Sequence, residues 1–189
     1  MNKRSFLIAS LAPVVLMVAG CAATSAPDRN ARRTSIDADI DNALAVLFDR
    51  TQASRAMVER AKGVLIFPSV VAAGVVVGGA YGEGALRAGP GSGSLGYYSS
   101  SSASVGLTVG AQSKAVFVLF MTDEALQKFQ ASNGWTVGVD ASVALISDGA
   151  NGSVDTQTAR APVVGFVVTN TGLLADLSLE STKVKKLDL

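Results

Sequence analysis

The chain has 189 residues with 16 basic and 15 acidic groups, a formal charge of +1 and no histidine. That near-balance argues against a nucleic-acid partner, which calls for a clear basic excess. Without histidine there is no Ser-His-Asp or Cys-His pair and no histidine metal site, and the carboxylates form no paired cluster. The expectation is a non-enzyme with no metal and no cofactor.

Lys3 and Arg4 form a positive start, residues 6–17 an apolar core interrupted by Pro13, and Val18-Ala19-Gly20 a small-residue end before Cys21, the only cysteine. A secretory signal ends in small residues, but a cysteine just past the cut is the mark of a bacterial lipoprotein, whose thiol takes a diacylglycerol thioether. The apolar run is too short for a transmembrane anchor. Residues 1–20 are therefore expected to be removed. Losing Lys3 and Arg4 leaves 14 basic against 15 acidic groups, a formal charge of about −1. Acylated Cys21 leaves no thiol for a disulfide partner. Ala22 in place of Asp after the cysteine favours the outer membrane, with the domain facing the periplasm or exposed at the surface.

Residues 21–34 read as the lipidated cysteine and a flexible tether, and 35–189 as one domain. Thr34 or Ser35 can cap a helix whose stripe is Ile36, Ile40, Ala43, Leu44, Leu47 and Phe48, with Asp37, Asp39 and Asp41 near its start. A second helix follows at about 53–62, with Gly63 placed to end it. From Val64 the pattern becomes that of an antiparallel sheet. A short buried strand at 64–67 is halted by Pro68. Further strands are expected at 74–87, 94–101, 104–112, 115–121, 136–147, 154–159, 163–169 and 173–180, with turns at 90–93 and 147–152. One helix interrupts them at 123–131, capped by Thr122, with Leu126 and Phe129 inward. Glycines 74, 78, 79, 82, 84, 106, 110 and 138 fall inside the strand patterns, which suggests a strongly bent sheet. The fold class is α+β: a curved antiparallel sheet that can close into a barrel, two N-terminal helices and one inserted helix.

The glycine-rich run 78–84 is not a phosphate loop, since it lacks the Gly-Lys-Ser/Thr ending and opens no helix. Glu83, Gln112, Asp140 and Glu180 stand out as polar residues inside apolar strands; they form a structural hydrogen-bond network or, alternatively, a headgroup or cation site. Tyr97-Tyr98 and the serines after them read as a polar strand edge and loop. Basic residues group as Arg55, Arg60 and Lys62 on the second helix, Arg87 and Lys114 near strand ends, and Lys183, Lys185 and Lys186 on a C-terminal helix or tail. Arg60, Lys62, Lys183, Lys185 and Lys186 are the candidates for meeting phospholipid headgroups.

Ala61-Lys62-Gly63-Val64-Leu65-Ile66-Phe67-Pro68 and the run from Gly74 to Leu86 resemble the core of the SYLF (Ysc84-type) lipid-binding domain family. Gly96-Tyr97-Tyr98, the run from Ser104 to Gln112, Leu119-Phe120-Met121-Thr122, Gly134-Trp135, the run from Asp140 to Ala144 and Ser178-Leu179-Glu180 follow in family order. The resemblance covers roughly residues 36–187. It implies a membrane-associated binding module: eukaryotic relatives bind phosphoinositides and, in fungi, actin, while bacterial relatives are commonly lipoproteins without assigned enzymatic activity. The family's N-terminal helix can carry membrane binding; here Asp37, Asp39, Asp41 and Asp49 on its polar face make it a core-packing helix instead. Asp176 and Ser181 replace glycines common in the family. The expected function is a lipid-anchored protein whose domain binds phospholipid headgroups at the envelope. The alternative is a structural module that docks an envelope or host protein and touches lipid only through its anchor.

Overall fold

The computed structural model describes residues 29–74, 77–105, 112–146, 160–169, 172–173 and 181–189. Cys21, the tether before Arg29, the strand expected at 154–159 and Glu180 lie outside the described residues. Helix α1 (Arg29–Arg50) buries Ile36, Ile40, Leu44 and Leu47, the expected stripe, at the four- and three-residue spacing that keeps side chains on one helix face. It starts at Arg29, ahead of the expected cap. Thr34 is inside the helix, where its hydroxyl donates to the Asn30 carbonyl at 2.9 Å. The turn to α2 (Gln52–Arg60) is held by Ser54, whose buried hydroxyl donates to the Thr51 carbonyl at 2.5 Å. Gly63 does not end α2. It opens the first strand, where a Cβ would come within 2.8 Å of Leu126 Cδ1.

The strands are β1 (Gly63–Gly74), β2 (Val77–Arg87), β3 (Ser94–Val105), β4 (Gln112–Phe120), β5 (Trp135–Thr136), β6 (Ala144–Ile146), β7 (Val163–Thr169), β8 (Gly172–Leu173) and β9 (Lys183–Leu187), with α3 (Asp123–Ala131) between β4 and β5. They form one curled sheet in the order β5-β9-β3-β2-β1-β4-β7-β6, with β8 on β7. The sheet makes a half-barrel and is mixed, because β6 runs parallel to β7. Four expectations change. Pro68 does not halt β1; it sits where the register to β2 and to β4 shifts, and a bulge spares proline its missing ladder hydrogen bond. β3 continues to Val105 without the expected break. The long strand expected at 136–147 is two short ones, parted by a turn at Gly138–Asp140 in which Asp140 N donates to the Thr136 carbonyl at 2.9 Å. The C-terminal lysines lie on neither helix nor tail but on β9, paired with β3.

The curl follows from connectivity. β5 and β6 stand at opposite ends of the strand order, yet only residues 137–143 join them. Eight strands laid flat would separate their outer members by about 34 Å at the usual strand spacing. The link from Thr136 to Ala144 reaches at most about 27 Å even fully extended, so the sheet must bend. Period-2 alternation then gives each strand two different neighbourhoods. Val64, Ile66, Phe117, Leu119, Val164 and Phe166 pack under α1 and α2. Leu65, Phe67, Val116, Val118, Phe120 and Val167 face the hollow, which α3 closes at one end with Phe129. Gly84 faces that hollow where β1 presses in: a Cβ there would lie 1.9 Å from the Ile66 carbonyl oxygen, so no other residue fits without moving β1.

Candidate functional site

On the helix side the polar groups find one another. Arg87, 4% exposed, reaches from β2 to α1, where its guanidinium donates to Asp41 and, at 3.1 and 3.4 Å, to the carbonyl and carboxylate of Asp37. Asp37 also accepts from Ser94 at 2.5 Å and Tyr97 at 2.9 Å. Burial alone would raise the Asp37 carboxyl, but these hydrogen bonds and the Arg87 charge outweigh it and hold it below its usual value. The same contact with Asp37, added to burial, pushes the Tyr97 phenol up. Glu83 is gripped by Arg32 of α1, through Nε at 2.9 Å and a second guanidinium nitrogen, and by the Tyr81 hydroxyl at 2.6 Å. Burial pulls Glu83 up, and those bonds bring it down further than burial raises it. Arg87 Nε alone is buried without a partner among the described groups.

Of the four polar strand residues singled out in the sequence, Glu180 lies outside the described residues and the other three are not brought together. Glu83 belongs to the network with α1, Gln112 is exposed at the start of β4, and Asp140 accepts from Thr136 N at 2.6 Å, fastening the turn after β5. The basic candidates are also spread. Arg60 is exposed on α2, and Lys62 sits 3.5 Å from Asp123. On β9, Lys185 and Lys183 stand opposite Ser99 and Ser101 on the face of Tyr97, whereas Lys186 stands opposite Tyr98 on the other. Tyr97 and Tyr98 are not at a strand edge; β3 runs between β2 and β9, and Tyr98 is buried.

The hollow is organised differently. At the α3 end Phe120, Phe129, Trp135 and Tyr98 pack ring against ring, with centroids 4.9–5.9 Å apart. Away from it, each strand turns polar on the same face: Tyr98 gives way to Ser100 and Ser102, Val118 and Val116 to Lys114, Val184 to Thr182. These polar groups line a cavity of about 20 Å³ with Phe67, Trp135 and Val137. Among the described residues Lys114 is the only charged side chain there. Burial lowers its amine, and among the described residues it has no carboxylate partner. The sequence reading placed Lys114 near a strand end and passed over it. The signal was present in its two-residue spacing from Val116 and Val118, but only the curl shows that this face encloses a cavity.

Residues 101–188 match the family model described as Ysc84: Las17-binding protein actin regulator. The match runs from within β3 through the last lysine-bearing positions of β9, while the motifs from Ala61 to Tyr98 lie ahead of it. The SYLF (Ysc84-type) family named from the ordered motifs is the family this match names. Residues 101–188, a little under half of the chain, are thus similar to that family, and they form part of an α+β half-barrel. No curated protein matches it.

Proposed function

We propose that this is a lipid-anchored protein of the outer membrane whose domain applies one basic face to phospholipid headgroups, and we assign it no catalytic step. The observation that carries this reading is where the unpaired cations stand. Arg29 and Arg33 lie in the first two turns of α1, and the Arg33 guanidinium rests 5.7 Å over the Tyr97 ring. Lys185 and Lys183 continue that side of the sheet along β9. Among the described residues none of the four has a carboxylate partner. The eight residues from Cys21 to Arg29 span at most about 28 Å, so an anchor at Cys21 keeps this corner of the domain next to the bilayer. Each such cation is worth about 1 kcal/mol near an anionic surface, and tethering supplies the local concentration that makes a weak surface sufficient.

The test uses the full chain carrying Cys21→Ser, so that no acyl chain is present, sedimented with anionic and zwitterionic vesicles at low and physiological salt. Salt-sensitive binding to anionic vesicles that falls in the Lys183→Ala/Lys185→Ala double variant, but not in Lys186→Ala or Lys62→Ala, is the expected result. Failure to bind either vesicle would sink headgroup binding by the domain. The second reading, a module that docks an envelope or host protein, is favoured by the family description, which names a protein-binding actin regulator. It predicts no vesicle binding without the anchor.

A further inference from the structure

The end of the hollow away from α3 lies on the opposite side of the sheet from the basic face, and its chemistry asks for a ligand of its own. Ser100 is only 5% exposed, yet its hydroxyl makes no hydrogen bond to another described residue; nor do the side chains of Ser102, Thr182 or Lys114. None of these groups is sealed from water, since Arg87 Nε alone is fully buried without a partner among the described residues, so they are free to meet a ligand that enters from solvent. Here three hydroxyls and an ammonium converge on one cavity, and among the described residues no carboxylate lines it and the remaining walls are apolar.

We infer that this end of the hollow is an oxyanion-binding site, in which Lys114 supplies the charge and Ser100, Ser102 and Thr182 supply hydroxyl donors to a phosphate or carboxylate group. The size of the cavity narrows the ligand. About 20 Å³ admits one water-sized group, whereas sites that engulf an organic ligand are on the order of 300 Å³ or more. The hollow therefore takes one oxygen of the anion and leaves the rest of the molecule outside. The cavity itself does not engulf an acyl chain. Free phosphate and the phosphate of a lipid headgroup share this chemistry.

Trp135 is the only tryptophan of the chain and lines the cavity; it also borders a larger pocket beside α3, so the dependence of its response on Lys114 and Ser100 is what assigns the response to this cavity. The experiment titrates the full Cys21→Ser chain with inorganic phosphate, replacing chloride at constant ionic strength. A saturable change in Trp135 emission is expected. Lys114→Met should weaken it about tenfold or more, as the loss of a charge-assisted contact does, and Ser100→Ala should weaken it less. The Lys183→Ala/Lys185→Ala variant should respond like the parent, which separates this site from the basic face. Parallel titrations with sn-glycerol 3-phosphate and with phosphatidic acid vesicles identify the source: a response to the soluble anions means a free phosphate ligand. A Lys114-dependent response to the vesicles alone means a lipid headgroup. No saturable response to any of the three probes, or one that Lys114→Met and Ser100→Ala leave intact, would overturn the inference.

Discussion

The two faces of the curled sheet treat a cation in opposite ways. Under α1, Arg87 is almost wholly withdrawn from water and answers to Asp37 and Asp41. In the hollow, Lys114 is half withdrawn and answers to nothing in the described chain. The first arrangement is what a packed interface needs, since charge removed from water is tolerable when it is paired and hydrogen-bonded. The second leaves a cost in the folded state that only a ligand or the bulk solvent can relieve. One face pairs its cation within the fold; the other leaves its cation without a partner among the described residues.

Replacing each cation by methionine breaks this comparison most directly. Arg87→Met carries the largest expected effect. It keeps the apolar stem but leaves Asp37, whose side chain retains about a third of its exposure, with Ser94 and Tyr97 and no countercharge, and it cuts the Arg87 ties from β2 to α1 while leaving that of Glu83 to Arg32. Breaking a fully buried pair costs about 3–5 kcal/mol; the partial exposure of Asp37 puts the loss nearer 2–3 kcal/mol. Urea unfolding measures it. A loss below about 0.5 kcal/mol, the range of an ordinary surface substitution, would mean that the network does not hold the helix to the sheet.

Much of the helix side could be read in the sequence, and most of the hollow could not. The stripe from Ile36 to Leu47, the Thr122 cap and the strand character of residues 78–84 are local patterns; Thr122 does accept from Ala125 N, at 3.2 Å. What failed needed distant information. Whether Pro68 ends a strand or sits in a bulge depends on its neighbours in β2 and β4. Three lysines among five residues hid β9, although Val184 and Leu187 point inward. Arg87 and its acidic partners are 46 and 50 residues apart in the chain, so no spacing rule links them. Gln112 and Asp140 looked like members of a buried set because their strands look apolar, yet both sit at the ends of elements, where polar side chains meet water or close turns.

The acid side of the stability profile sharpens the comparison with a smaller effect. Asp37 and Glu83 both have carboxyls held below their usual values. The unfolded chain takes up their protons at about pH 4, and the folded one does so only lower. Their stabilisation is therefore complete above that pH and is lost as pH falls through the folded values. Asp37→Asn should cost about 1 kcal/mol at neutral pH, the low end for hydrogen bonds to a charged group because the side chain is partly hydrated. The deficit should shrink as the solution is acidified toward pH 3, while Glu83 leaves some slope in the variant. Thermal melts from pH 3 to 7 measure both; a deficit constant across that range would mean that the Asp37 charge contributes nothing.

Lys114→Met is expected to have the smallest effect and the opposite sign. Burial lowers the folded amine, so between that value and about pH 10.4 the unfolded chain holds more protons than the folded one. Stability of the parent chain then rises with pH through this window, and below it the penalty of the charged amine is fully present. Methionine fills a similar volume beside Val116 and Val118 without that penalty, so the variant should be more stable at neutral pH by on the order of 1 kcal/mol. Its advantage should fade as the solution is made alkaline. Saturating phosphate should narrow the gap from the other direction, raising the melting temperature of the parent and leaving the variant where it was. A variant that is less stable than the parent in phosphate-free buffer would show that Lys114 is already paired within the fold, and the two faces would then be alike.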